Sequence, residues 1–423
     1  MINVIGDIIL DRWVIGSVDR ISPEAPVPVL LKQKEECSLG GASNVAANLS
    51  NLISEVKLYG ELALDVSSDE VLELTKEHGI QCRISHSLNV TPVKTRFVGN
   101  EGQHILRLDV EIPNSKNRQI ETPTEKILKD ISVGDIVIVS DYNKGSIEKD
   151  TVQKISDITD LIFVDPKQEP EIYNSAFLVK PNMKEYLKWN GEFTTDSAIQ
   201  FMNKHNWTWL VLTDGANGMH VLKHSGEYHH YVESTREVCD VSGAGDTVLS
   251  VIVYAHNNGM TIPQSCELAC YAASRIVERR GVSLVTIEDL NRGIVWTNGV
   301  FDVLHSGHLE LLEFSKNHGK KLIVGINDDE SVRRLKGKHR PINDVLTRKR
   351  QLEILPWVDE VIIFKEETPQ NIIEKIRPDV IIKGGDYTTE TTVGNEVSKV
   401  IIFPSVEEYS TTSIIEKING VKT

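Results

Sequence analysis

The 423-residue sequence predicts two α/β domains in tandem, the first carrying a small antiparallel β flap. Three observations lead there. Strand-length apolar runs alternate with helical patterns along almost the whole chain, the pattern of largely parallel sheets covered by helices. Two stretches, 22–34 and 91–111, break that rhythm with alternating β segments and glycine-containing turns. A second alternation with a different glycine motif begins at Ile294, so the halves are not a duplication. The expected domains are 1–285 and 294–423, joined by a short connector within 283–293 that is neither Pro- nor Ser-rich.

In the first domain, strands are expected at 3–9, 56–60, 135–140, 161–165, 176–180 and 209–213. Helices are expected between them at 43–52, 69–78 and 147–158. The second domain reads as strand 294–300, helix 307–318, strand 322–326, then strands at 360–364, 380–383 and 400–403. A last helix near 413–417 closes it.

Composition bounds the function. Lys and Arg number 46 against 61 Asp and Glu, a formal charge of −15, which argues against a nucleic-acid partner. It leaves anionic small substrates open, because local cations and backbone N–H groups decide that binding. The apolar runs at 322–326 and 361–364 are far too short to span a membrane. Residues 1–10 lack the basic start of a signal peptide, and five cysteines form no disulfide framework. A cytoplasmic protein with no membrane partner is expected.

The first chemistry-bearing constellation centres on Gly243-Ala244-Gly245-Asp246, which opens a helical run. Small residues let N–H groups converge on an anion at a helix N-terminus, and Asp246 beside them can take a proton from an attacking hydroxyl. Alone, this is a glycine-rich turn with an Asp cap. It has company: Asn182-Met183-Lys184-Glu185 follows a strand and Pro181, a spacing that lets Asn182 and Glu185 reach one Mg²⁺–water–phosphate site. Gly40, Gly41 and Asn44 precede a helix and can present donors to a polyhydroxyl substrate. Asp7 and Asp11 are natural acceptors for sugar hydroxyls, with turn chemistry as the plain alternative.

Together, in this order, these motifs resemble the ribokinase-type (PfkB) sugar kinases. That resemblance implies a ribokinase-like fold, γ-phosphoryl transfer from ATP with Mg²⁺, Asp246 as base, and the 243–245 turn as anion hole. The flap would close over the sugar. The run Gly6-Asp7-Ile8-Ile9-Leu10-Asp11-Arg12, then Arg20-Ile21-Ser22-Pro23-Glu24-Ala25-Pro26, is similar to the heptose 7-phosphate kinase branch. So are Ser140-Asp141-Tyr142-Asn143-Lys144-Gly145 and Val164-Asp165-Pro166-Lys167. In that branch basic residues would hold the substrate's own phosphate, with Arg20, Arg107, Lys144 and Lys167 as candidates and Arg12 beside them. Each of these four also reads well as a solvated surface charge.

The second constellation is Thr297-Asn298-Gly299-Val300-Phe301-Asp302-Val303-Leu304-His305-Ser306-Gly307-His308, running from a strand into a helix. His305 and His308 flank Gly307, so both imidazoles can face a triphosphate over the helix N-terminus and stabilise charge on the departing pyrophosphate. Downstream, Lys336 and Arg340 bracket Gly337 as cations for a transition-state phosphate, and Arg348 and Arg350, beginning a further helix, are supporting residues with solvated-face charge as the plain alternative. Lys383, Gly384 and Asp386 end a strand where open α/β sheets bind ligands, and Ser410, Thr411 and Thr412 can grip phosphate at the last helix. This set resembles the cytidylyltransferase-like nucleotidyltransferases, which implies a Rossmann-like HxGH domain.

Both halves together are similar to bifunctional heptose 7-phosphate kinase / heptose 1-phosphate adenylyltransferases. The resemblance implies C1 phosphorylation of heptose 7-phosphate, then adenylyl transfer to heptose 1-phosphate giving ADP-heptose and pyrophosphate, for lipopolysaccharide core assembly. It leaves room for a homodimer. Two alternatives stand beside it: another sugar phosphate or CTP in the second site, and a catalytically silent nucleotide or sugar-phosphate sensor. Two further clusters are set aside. Cys266 and Cys270 read as core, and His220, His224, His229 and His230 as a hairpin edge whose alternating faces separate them.

Overall fold

A computed structural model describes residues 1–111, 120–232, 243–279, 283–384, 387–396 and 398–404. It divides into two compact units, Met1–Leu290 and Asn291–Thr423.

The first unit is built on a nine-stranded sheet. Its order is Tyr228–Tyr231, Met219–Lys223, Trp209–Thr213, Leu178–Val179, Ile162–Asp165, Ile136–Ser140, Ile2–Gly6, Val56–Glu61, Gln81–Ser85. All neighbouring pairs are parallel except the two at one edge, Trp209–Thr213 with Met219–Lys223 and Met219–Lys223 with Tyr228–Tyr231. The central strands are apolar at consecutive positions because both faces are covered. Ile136 and Ile138 enter the core on one side, with Val248, Leu249 and Ile252 of helix Ala244–Asn257. Val137 and Val139 enter the core on the other, with Tyr173, Tyr186 and Trp207. Each such side chain contributes about 1.5–3 kcal/mol when fully buried.

The first strand ends at Gly6, not at Ile9, and Ile8–Ile21 starts a second sheet. The bend is fixed at Asp7. Its N–H donates to Ser140 O at 3.1 Å, and its carboxylate accepts from the N–H groups of Tyr142, Lys144 and Ser146 at 2.8–2.9 Å. The flap is a four-stranded sheet in the order Pro28–Gly41, Ile8–Ile21, Val93–Val98, His104–Val110. Its outer pairs are antiparallel, but Ile8–Ile21 and Val93–Val98 run parallel, so it is mixed rather than wholly antiparallel. Val93–Val98 returns to the flap only after a crossover through Val56–Glu61 and Gln81–Ser85, and crossovers bring strands back in the same sense.

On the edge hairpin, antiparallel register sets His220 directly opposite His230, and their rings stack at 4.2 Å. The expectation that strand alternation separates them therefore fails for this pair, because cross-strand partners share a face.

The second unit is a five-stranded parallel sheet in the order Glu360–Phe364, Lys321–Asn327, Ile294–Gly299, Val380–Gly384, Lys399–Phe403. The order reverses sense between Ile294–Gly299 and Val380–Gly384, which opens a crevice at the carboxyl ends of those strands. Helix Ser306–Lys316 begins at that crevice. No helix among the described residues is long and apolar enough to cross a membrane.

Candidate active sites

Asp246 lies in the first turn of helix Ala244–Asn257, after Gly243, whose φ of 76° is the left-handed conformation glycine adopts readily. Only 4% of the residue is exposed. Asn44 Nδ2 donates to one carboxylate oxygen at 2.7 Å and the Tyr142 hydroxyl to the other at 3.0 Å. Burial and the nearby charge of Asp165 raise its pKa to about 6, against the lowering effect of those two hydrogen bonds and of Lys180. A carboxylate poised there is ionised at neutral pH and still basic enough to accept a proton.

Beside the turn, buried Lys180 pairs with Asp165 at 3.0 Å. A Cβ added at Gly245 would lie 3.4 Å from Lys180 Nζ, so the pair borders the 243–245 turn directly. Asn182 and Glu185 cap the N-terminus of helix Met183–Asn190 as a reciprocal capping box, with N–H···O distances of 3.0 and 2.9 Å. Met183 packs against the core and Lys184 is exposed. Glu185 also pairs with Lys167. Its charge helps raise the pKa of Asp165, which burial dominates. Asp165 and Glu185 are close enough for their charges to interact, and with Asn182 they offer the kind of oxygen donors Mg²⁺ takes, although among the described residues no cluster of three Asp, Glu, His or Cys side chains is placed to hold a metal ion.

Several predicted ligands are engaged otherwise. Asp7 holds three backbone N–H groups of the 142–146 loop rather than an open face. Asp11 accepts from Arg96 Nη1 at 2.5 Å, and Gly40 packs so close that a Cβ there would sit 2.4 Å from Asp11 Oδ2. Gly41, with φ of 59°, turns the chain into helix Ala42–Ser50 and so aims Asn44 at Asp246. Arg12 pairs with Glu70 at 2.5 Å and Glu35 at 3.3 Å, which ties it to flap and helix instead of a substrate. Arg107 forms a two-pronged pair with Asp109 at 2.7 and 2.8 Å, Lys144 pairs with Glu111, and Arg20 is exposed near the flap tip. Sequence reasoning missed Tyr142 as a partner of Asp246, and missed Lys180 altogether. A lysine closing an apolar strand just before Pro181 was the available signal.

In the second unit, His305 and His308 stack with ring centroids 3.8 Å apart. Burial lowers the pKa of both, and for His308 burial and then the neighbouring His305 bring it to about 4. Both rings are therefore neutral at pH 7. The Nδ1 atoms of both, with Thr297 Oγ1 and Ser306 Oγ, are buried without a protein partner. Leaving such atoms unpaired costs about 1–3 kcal/mol each, and all four belong to the Thr297–His308 run. Phe301, with φ of 48°, lies 5.0 Å from the His308 ring and packs under Gly299.

Lys383 reaches across the crevice, donating to Asn298 O at 3.2 Å, and lies 4.9 Å over the Tyr387 ring. Burial lowers its pKa to about 8. The Asn298 side chain accepts from Trp296 Nε1 at 3.2 Å. Asp302 is buried and accepts from Arg340 Nη1 at 3.0 Å and from the N–H groups of Ile342 and Asn343, so Asp302 and Arg340 shape the loop. Lys336 ends helix Asp329–Lys336 and is exposed. Arg348 is not a solvated-face charge. It is fully buried, pairing with Asp329 at 2.7 Å and donating to Val300 O and Asn343 O at 2.8 and 3.0 Å. Gly384 ends its strand, whereas Asp386, Ser410, Thr411 and Thr412 lie outside the described residues.

Comparison with known proteins agrees with this division. Residues 1–289 match the pfkB family carbohydrate kinases and residues 296–417 the cytidylyltransferase-like family. The Bifunctional protein HldE of Coxiella burnetii (strain RSA 331 / Henzerling II) is 35% identical over an alignment 461 positions long, covering 99% of this chain and 97% of its own. The protein of that name from a Nitratiruptor species is also 35% identical, covering 99% of both chains. Among solved structures, Escherichia coli phosphofructokinase-2 superposes with a TM-score of 0.57 at 17% identity, over 69% of this chain and 96% of its own. A Thermotoga maritima ribokinase superposes at 0.54 and 16%, over 68% and 97%. These structures share the fold of the first unit. With a kinase-family unit followed by a nucleotidyltransferase-family unit, and 35% identity across essentially its full length, the chain belongs to the HldE family of bifunctional enzymes.

Proposed function

We propose that residues 1–285 phosphorylate heptose 7-phosphate at C1 with ATP, and that residues 294–423 join heptose 1-phosphate to the adenylyl group of ATP, giving ADP-heptose and pyrophosphate. The observation that carries this reading is Asp246. A buried carboxylate with a pKa of about 6, held by Asn44 and Tyr142 at the mouth of a glycine turn, has the protonation behaviour of a general base.

In the kinase half, Asp246 accepts the proton of the C1 hydroxyl as the hydroxyl oxygen attacks the γ-phosphorus and the bond to the β-phosphate oxygen breaks. The N–H groups of the 243–245 turn and the ammonium of Lys180 face the transferring phosphate and offset its charge. Asp165, Glu185 and Asn182 would hold Mg²⁺, which supplies charge neutralisation on the phosphates. The Asn44 amide borders the sugar.

In the transferase half, the attacking group is a sugar phosphate oxygen that is already ionised, so no side-chain base is needed. Neutral His305 and His308 donate hydrogen bonds to the α-phosphate and leaving pyrophosphate, and Lys383 and Lys336 add positive charge. The exposed apolar side chains of the flap, Leu31, Leu106 and Leu108 among them, support a homodimer through that sheet. A cytoplasmic site of action fits both substrates.

Phosphorus NMR of the full chain with ATP, Mg²⁺ and D-glycero-D-manno-heptose 7-phosphate tests the reading. A C1 phosphate resonance is expected first. After the C7 phosphate is removed by an added phosphatase, a diphosphate-sugar signal follows. Kinase product without the second signal would replace the proposed nucleotide or sugar of the transferase half. Neither signal would overturn both assignments.

A further inference from the structure

We infer that Tyr173 is a positioning residue of the kinase site, an assignment that rests on the kinase reading above. Its hydroxyl fastens the loop carrying Asp165 and Lys167 to the loop carrying Tyr142, and so fixes the setting of Asp246. The two loops leave the carboxyl ends of neighbouring parallel strands, Ile136–Ser140 and Ile162–Asp165. Backbone pairing carries them as far as the Asp141 N–H, which donates to Asp165 O at 3.0 Å. Beyond that point side chains join them. The Tyr173 hydroxyl accepts from the N–H groups of Lys167 and Gln168 at 3.0 and 2.8 Å, and donates its own proton to Asp141 Oδ2. Gln168 Nε2 donates to the same oxygen at 2.9 Å. The other Asp141 oxygen accepts from the N–H of Asn143 at 2.6 Å, where the chain takes the left-handed φ of 56°.

Tyr173 is fully buried in the core with Trp207, whose indole N–H donates to Tyr173 O at 2.8 Å. Packing accounts for the ring but not for the hydroxyl, which accepts two hydrogen bonds and gives one. A buried polar network with its partners in place specifies one geometry. Here it specifies the surroundings of the base. Tyr142 on one loop donates to Asp246, and Asp165 on the other pairs with Lys180 beside the 243–245 turn. Lys167, whose N–H Tyr173 holds, pairs with Glu185. Asp7 independently holds the 142–146 loop through three N–H groups, so loss of the Tyr173 hydroxyl frees the 165–168 loop first. The hydroxyl's own partners are Asp141 and two backbone N–H groups, so it acts through the loops and not on a substrate.

Single-turnover phosphorylation by the full chain tests this, with enzyme in excess over heptose 7-phosphate and ATP varied. Under that condition the rate constant does not depend on the fraction of molecules folded, so a variant that is merely less stable keeps it. Wild-type transfer is read first, and its absence overturns the kinase reading and this assignment with it. Given transfer, Tyr173→Phe lowers the rate constant at saturating ATP by about 10-fold or more, as expected when reacting groups lose their alignment. The ATP concentration giving half that rate stays within about three-fold of wild type, and pyrophosphate release by the second unit is unchanged. Tyr59→Phe is the control. It removes another buried tyrosine hydroxyl bonded to a carboxylate, that of Asp130 at 2.8 Å, and keeps the rate constant within about two-fold. A Tyr173→Phe rate constant within about two-fold of wild type, or a rise in the ATP requirement alone, overturns the assignment while leaving the kinase reading in place. So does a matching loss in Tyr59→Phe or in pyrophosphate release. If Tyr173→Phe does not fold, Asp141→Asn replaces it, because an amide cannot accept on both sides as the carboxylate does, and the same results decide.

Discussion

Tyr142 donates its phenolic hydroxyl to Asp246 at 3.0 Å, linking the loop after strand Ile136–Ser140 to the start of helix Ala244–Asn257. The loop's shape comes from Asp7, which holds three of its N–H groups, so one strand end positions a tyrosine that in turn tunes the proposed base.

Removing that hydroxyl has a signed consequence. The Tyr142 hydrogen bond favours the ionised carboxylate, so Tyr142→Phe raises the Asp246 pKa above about 6. The base must be ionised to act, so kinase kcat, which climbs with pH through that value, climbs at higher pH in the variant. A shift of about one pH unit corresponds to 1.4 kcal/mol, within the range of one hydrogen bond to a charged group. A kcat–pH profile measures it.

Asp165→Asn moves the same limb the other way. The Asp165 charge is the second cause of the raised Asp246 pKa, so its loss lets Asp246 ionise at lower pH. The substitution also leaves Lys180 buried without its carboxylate, a class of change that costs about 3–5 kcal/mol. Thermal unfolding together with the pH profile reads both effects, a lower melting temperature and an acid limb displaced downward.

On the alkaline side the two half-reactions should part. Lys383 loses its proton near pH 8, because burial disfavours its charge. Pyrophosphate release therefore falls as pH rises through about 8, while phosphorylation by Asp246 does not fall there for the same reason. Lys383→Met lowers pyrophosphate release about 100-fold at pH 7 and flattens the alkaline limb. Continuous pyrophosphate and ADP assays on one preparation check both.

Arg348 gives a prediction about stability alone. It ties Val300 O, Asn343 O and Asp329 together from a fully buried position. Arg348→Ala leaves these acceptors unpaired and should destabilise the second unit by about 3–5 kcal/mol. Chemical denaturation followed by tryptophan emission, with Trp296 in that unit's core, reads the loss.

What was legible in sequence divides along a physical line. The Gly243–Asp246 turn and the Thr297–His308 run are local, since residues a few positions apart must share one turn, and their spacing already encodes the geometry. Strand positions were legible for the same reason: apolar runs such as 209–213 and 360–364 coincide with strands Trp209–Thr213 and Glu360–Phe364. The partners of charged side chains were not. Whether Asp11 faces a sugar or Arg96 and whether Lys167 faces a phosphate or Glu185 depend on cross-strand register and on which cation reaches a carboxylate first. The bend at Asp7 escaped notice because the apolar run continues through Ile8–Leu10 although the chain changes sheets there.

The central claim is that one chain carries two separate catalytic centres, with Asp246 serving one and His308 the other. Its most direct test is a reciprocal pair of variants, each assayed for both half-reactions. Asp246→Asn is expected to lower C1 phosphorylation by about 10³-fold or more with pyrophosphate release intact, and His308→Ala to lower pyrophosphate release by about 10²-fold or more with phosphorylation intact. A folded variant of either kind that loses both activities would contradict the account.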